Sequence, residues 1–148
     1  MLSQKARYAI RALMALHELT PGEHAQIAEV ASQADVPRKF LEQILLELKK
    51  RGIVRSVRGK HGGYALGRSS DEISLAEVIR AIDGPLALAP CASRTAYRRC
   101  EDCEDEATCP IRVVLMEVRD ATAGILESRS IAALVRSEKR RRASARSR

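Results

Sequence analysis

Residues 37–66 read PRKFLEQILLELKKRGIVRSVRGKHGGYAL, and this stretch decides the fold. Pro37 suits the first turn of a helix, where its missing N–H is not needed. Phe40, Leu41, Ile44, Leu45 and Leu48 recur at helical spacing and predict a buried stripe. Lys49, Lys50 and Arg51 complement the negative C-terminal end of that helix, and Gly52 can take a left-handed cap. Ile53 to Val57 is β-branched, Arg58 to Gly63 is rich in glycine and positive charge, and Tyr64-Ala65-Leu66 follows. Two short strands around a Gly-rich loop make a hairpin.

Upstream, Ser3 can cap a helix reaching to about Leu19, which Thr20-Pro21-Gly22 stops. Ile27, Val30 and Ala31 mark a short second helix, and Gln33 to Val36 a brief connection. Three short helices followed by a basic hairpin is the order of a winged helix-turn-helix. Downstream, Ser74 to Glu77 reads as a capping box, with Ile73 and Val78 as its hydrophobic staple, on a helix ending at Asp83-Gly84. Residues 85–109 have no periodicity and hold every cysteine. From Pro110 to about Glu127 a long helix of roughly 27 Å carries Ile111, Val114, Leu115, Val118, Thr122 and Ile125 on one stripe. Ser130 to Val135 adds a last turn or two. Residues 136–148 contain no apolar residue larger than Ala and predict a disordered basic tail. The expected fold is mainly α: a winged helix-turn-helix with a small β-hairpin wing, plus a long C-terminal dimerisation helix. Its parts are a DNA-binding domain at 1–84, a cysteine-bearing sensor loop at 85–109, and a dimerisation helix with a final short helix at 110–135.

The chain has 148 residues, 26 Lys+Arg and 19 Asp+Glu, for a formal charge of +7. That charge is uneven. Residues 1–68 carry 12 basic and 6 acidic groups (net +6), residues 69–135 carry 7 and 12 (net −5), and residues 136–148 carry 7 and 1 (net +6). Positive charge on the hairpin-bearing segment suits a polyanionic partner. With aromatics at 3%, the core must be aliphatic. No run of 18 apolar residues suits a membrane span. Lys5, Arg7, Arg11 and Glu18 interrupt the first apolar positions, unlike a signal peptide. The expected compartment is the cytoplasm, where structural disulfides are uncommon.

A groove-reading helix must turn polar side chains outward. Arg38, Lys39, Glu42 and Gln43 lie opposite the apolar stripe. Arg and Lys can donate to guanine, Gln can pair with adenine, and Glu can accept from cytosine. The wing needs glycines for close approach and a cation for the narrow minor groove. Arg58, Lys60, His61 and Gly62 supply these, and Lys5 joins them as a candidate contact. Each residue alone also suits a solvated surface; the ordered set carries the reading. The loop is no phosphate-binding P-loop, since it lies between strands and lacks the Lys-Ser/Thr signature. The tail is either a solvated aid to solubility or a loose phosphate binder.

Leu2-Ser3-Gln4-Lys5-Ala6-Arg7-Tyr8-Ala9, Phe40-Leu41-Glu42-Gln43-Ile44 and Val57-Arg58-Gly59-Lys60-His61-Gly62-Gly63-Tyr64 resemble the IscR/NsrR-type bacterial regulators. Asp71 to Gly84, the cysteine segment and the long helix extend the resemblance over residues 1–135. It implies a homodimer on pseudo-palindromic, double-stranded promoter DNA, usually a repressor and not an enzyme. It implies that Glu42 reads bases and Arg58 enters the minor groove. Many members hold an iron–sulfur cluster, 2Fe-2S or 4Fe-4S, and sense iron, nitric oxide or redox state.

Cys91, Cys100, Cys103 and Cys109 are spaced C-x8-C-x2-C-x5-C, and such a loop can bring four thiolates to one centre. The family pattern has three cysteines before the long helix. Cys91 and Cys109 match its ends, while Cys100 and Cys103 compete for the middle. Arg112 stands where some relatives have a His ligand, and no carboxylate neighbours Tyr8 in the first helix. The extra cysteine is then the simplest fourth ligand. An iron–sulfur cluster, a structural zinc, a thiol–disulfide switch and merely unpaired thiols all remain open. Glu101, Asp102, Glu104, Asp105 and Glu106 oppose thiolate formation, and Arg94, Arg98 and Arg99 oppose them in turn.

Overall fold

The computed structural model describes residues 2–147. The order is α1 (Gln4–His17), α2 (Ile27–Ala34), α3 (Arg38–Lys50), β1 (Val54–Val57), β2 (Gly63–Leu66), α4 (Leu75–Ile82), a 3₁₀ turn at Pro90–Ala92, α5 (Pro110–Glu127) and α6 (Ile131–Arg146). The architecture is the expected mainly helical one with a single antiparallel hairpin, paired Val54 to Leu66 and Val57 to Gly63.

Helices α1, α2, α4 and α6 begin where the sequence supplies a cap. Ser3 Oγ accepts from Ala6 N at 3.0 Å, and its own backbone N donates to the Asp83 carboxylate at 2.9 Å, tying the start of α1 to the end of α4. Gln26 and Glu29 form a reciprocal capping box on α2. Ser74 Oγ accepts from Glu77 N at 3.2 Å. The Glu77 carboxylate does not return the bond as the capping-box reading expected; it pairs with Arg68. Pro37 sits one position earlier than expected, as the N-cap of α3.

The core is aliphatic. Leu13, Leu41, Ile44, Leu45, Leu48, Ile53, Ile73 and Val78 are completely buried where α1, α3, α4 and the hairpin meet. Truncating one of these to Ala removes both transfer energy and packing, about 2–5 kcal/mol. Phe40, expected in this stripe, is 56% exposed. It lies in the first turn of α3, ahead of the buried Leu41–Leu48 layer, and faces Tyr8 instead.

The wing is docked on the body. Ala25 N donates to Tyr64 O at 2.9 Å and Tyr64 N donates to Ala25 O at 2.8 Å, so the α1–α2 connection adds a third short edge to the hairpin.

Residues 136–146 are helical rather than disordered, which corrects the reading of a disordered 136–148 tail; Arg148 lies outside the described residues. Ser130 caps α6 through Ala133 N at 3.2 Å, and Ile131, Ala132 and Val135 bury its first turns. Arg136 pairs with Asp71 at 3.2 Å and Lys139 with Glu18 at 3.1 Å. Ala and Arg are strong helix formers. A capped, docked first turn removes the nucleation cost, so the rest propagates without an apolar face of its own. Among the described residues no helix is long and apolar enough to cross a membrane.

Candidate nucleic-acid interface and cysteine loop

The apolar face of α3 is committed to the core, so its other face must meet solvent. Arg38, Lys39, Glu42 and Gln43 are all exposed there. Arg38 Nε approaches Glu42 Oε1 at 3.4 Å, a spacing of one helical turn. Gln43 Nε2 donates to Glu47 Oε1 at 3.2 Å. Lys5 Nζ reaches the same oxygen at 2.7 Å, so the first turn of α1 leans on the middle of α3. The hydrogen bond from Lys5 holds the Glu47 carboxyl below the usual carboxylate range; burial opposes this, and Gln43 and Lys50 assist it.

The wing presents Arg58, Gly59, Lys60 and His61 to solvent. Among the described residues Arg55, Arg58 and Lys60 join no ion pair, so their charge is available to a polyanion. Gly59 has φ +112°, a region L side chains rarely adopt. A Cβ on Gly62 would overlap the Val57 and Gly59 carbonyls, and one on Gly63 would overlap Ala25. His24 contacts the His61 carbonyl and props the loop from below.

The sequence reading missed Arg119, and gave Arg94, Arg99 and Arg112 no part in holding the cysteine loop. Arg119 is almost fully buried and donates to the Ala92 carbonyl while pairing with Asp120 at 2.8 Å. Arg94 joins the same carboxylate at 2.9 Å. Arg112 Nε donates to the Cys91 carbonyl at 3.2 Å, and Arg99 Nη2 to the Cys103 and Glu104 carbonyls at 2.8 and 2.9 Å. These guanidiniums stitch the loop to α5 and to itself. Their only sequence signal was arginine recurring within an otherwise acidic segment.

Cys91 is buried, and Cys100, Cys103 and Cys109 are partly covered. The hydrogen-bond contact with Cys91 is the main cause pushing the Cys100 thiol up, followed by burial and then by Cys91, Asp102 and Cys103 as neighbours. Cys103 N donates to Cys100 O at 3.3 Å in a tight turn, while Cys109 immediately precedes α5. Among the described residues no three His, Cys, Asp or Glu side chains close on a common point that could hold a metal. The donor chemistry fits a thiophilic centre, with four soft sulfurs on one loop.

The family model for Rrf2, described as an iron-dependent transcriptional regulator, matches residues 2–137. A Rhodobacter capsulatus protein named as an rrf2-like HTH-type transcriptional regulator is 46% identical over 121 residues, covering 80% of this chain and 81% of that one. The IscR regulator of Photorhabdus laumondii is 31% identical over 137 residues, covering 93% of this chain and 80% of its own. The structure of CymR (YrzC), the global cysteine regulator of B. subtilis, superposes with a TM-score of 0.73 at 27% identity, covering 93% of this chain and 97% of CymR. The T. potens IscR structure shares the fold, with a TM-score of 0.71 at 22% identity and coverage of 93% and 88%. These relatives are regulators rather than enzymes. With the reading helix and docked wing in place, the chain belongs to the Rrf2 family of winged helix-turn-helix, DNA-binding transcription regulators.

Proposed function

We propose that the chain is a cytoplasmic homodimeric repressor whose hold on promoter DNA responds to an iron–sulfur cluster, and through it to iron or redox status. One observation carries the DNA half: the polar face of α3 and the unpaired cations of a wing docked through Ala25 and Tyr64 are exposed. In this reading Arg38, Lys39, Glu42 and Gln43 enter the major groove. Arg58 enters the minor groove, while Lys5, Lys60, His61 and the Gly62 backbone position the duplex.

Dimerisation is supported by α5. Ile111, Val114, Val118 and Ile125, which share one face, are each between 40% and 67% exposed. Such a row of aliphatic groups in water is unfavourable, and a second copy would cover it. Two reading heads then meet major grooves about 34 Å apart.

Cys91, Cys100, Cys103 and Cys109 are the candidate ligands. A cluster would supply reversible electron transfer and a sensitivity to iron supply and oxidants. The chain's own part is to exclude water with Ala92 and Cys91, and to hold the loop on α5 through Arg112 and Arg119. A change in loop order is then passed to the dimer helix.

Four free thiols on one loop, with Cys91 raising the Cys100 thiol, support a second reading, a thiol–disulfide switch between those two. There the two thiols lose two protons and two electrons to an oxidant and form one S–S bond.

The test pairs iron, zinc and sulfide analysis of anaerobically purified protein with gel shifts on its own promoter DNA. The cluster reading expects iron and sulfide in equal amounts and a changed affinity after cluster removal. Zinc without sulfide would replace it. Arg58→Ala is expected to weaken binding about 5- to 150-fold; unchanged affinity would overturn the wing assignment.

A further inference from the structure

Phe40 is the chain's single phenylalanine. Its ring stays more than half exposed, although Leu41 and Ile44 beside it are completely buried. It borders a cleft of about 310 Å³ between the first turns of α1 and α3, whose other walls are Gln4, Lys5, Tyr8, Lys39 and Gln43. Tyr8 and Phe40 stand with ring centroids 6.2 Å apart, tilted by 47°. The cleft is shaped before anything enters it. Gln4 Nε2 donates to the Tyr8 hydroxyl at 2.6 Å and fixes that ring, and Lys5 is drawn back against Glu47.

The cleft opens beside Arg38, Glu42 and Gln43, with two lysines on its walls. Its occupant must therefore be apolar where it meets the rings and anionic close by. Thymine in duplex DNA satisfies both. Its C5-methyl is the one apolar group on the major-groove edges of the bases, and phosphates flank every base. We propose that the Tyr8–Phe40 cleft selects a thymine in each half-site by enclosing its C5-methyl group. This inference rests on the DNA-binding reading above and adds a shape-based contact to the hydrogen-bonding ones. Two rigid rings enclose a methyl with little loss of rotamer freedom, which suits them to discrimination.

The test removes the methyl from the DNA and leaves the protein untouched. A duplex of about 30 base pairs, near three helical turns, is selected by the full-length protein from random-sequence DNA. Each thymine is then replaced in turn by deoxyuridine, symmetrically in both half-sites. Wild-type protein is expected to lose about fourfold in affinity per half-site at one thymine position, the value of one buried methyl, and little at the others. Phe40→Ala, or Phe40→Leu should the first not fold, is expected to bind the thymine and uracil duplexes alike at that position. Affinity insensitive to uracil throughout would overturn the inference while leaving DNA binding intact. So would a Phe40 variant that keeps the full thymine preference, or one that weakens every duplex equally, which would make the ring a brace between α1 and α3. Failure of the wild-type protein to enrich any duplex would instead remove the DNA-binding reading itself.

Discussion

At the scale of single residues, Gly62 shows how little freedom the wing has. Its neighbours are backbone carbonyls, which cannot turn aside as a flexible side chain could. Gly62→Ala is expected to destabilise the fold by about 1–3 kcal/mol in urea denaturation, and to weaken DNA binding with it. Glu47 makes a different, pH-dependent contribution. Its folded-state carboxyl lies below the ordinary value because Lys5 donates to it. Its stabilisation is therefore present above the ordinary glutamate range and is lost as pH falls through the depressed folded value. The stability gap between wild type and Glu47→Gln is expected at neutral pH and should close in acid. The side chains of this pair are 39% and 25% exposed, so the gap should not exceed about 1 kcal/mol. A gap that persisted at low pH would place the effect in packing rather than charge.

At the scale of elements, α5 and α6 depart from each other in a useful way. α5 has an apolar stripe yet leaves much of it exposed, and under the proposal above a second copy covers it. Val114→Glu with Val118→Glu is expected to convert dimer to monomer in sedimentation equilibrium, with the helical signal of the isolated domain retained. A dimer that survived both charges would move the interface elsewhere. α6 has the opposite character. Its second half buries nothing, and the helix persists because Ser130 caps it and its first turns are docked. A reading based on apolar content alone was bound to end this helix early, since the Arg136–Asp71 and Lys139–Glu18 pairs join positions far apart in the chain.

At the scale of the whole molecule, the cysteine loop links the reading head to α5. Arg80 of α4 pairs with Glu127 at 2.7 Å, and Leu75 N donates to Arg129 O at 2.8 Å, so the far end of α5 is also anchored to the DNA-binding part. Replacing all four cysteines by Ala is expected to alter DNA affinity or site choice while residues 1–84 stay folded, as read by footprinting beside circular dichroism. Identical footprints for cluster-loaded and cysteine-free protein would remove the coupling.

Much of this was legible before any coordinates. The caps at Ser3 and Ser74, the stripe from Leu41 to Leu48 and the Gly-rich basic hairpin are local signals, readable over a few residues because helix and strand periods are local properties. So was the exposure of Arg38, Lys39, Glu42 and Gln43, which follows from their phase against the stripe. Folding alone decided that Phe40 faces Tyr8 rather than the core, that Lys5 is held by Glu47, and that buried Arg119 holds the loop. Each of these depends on which distant segments meet and at what angle, and periodicity along the chain carries no information about that.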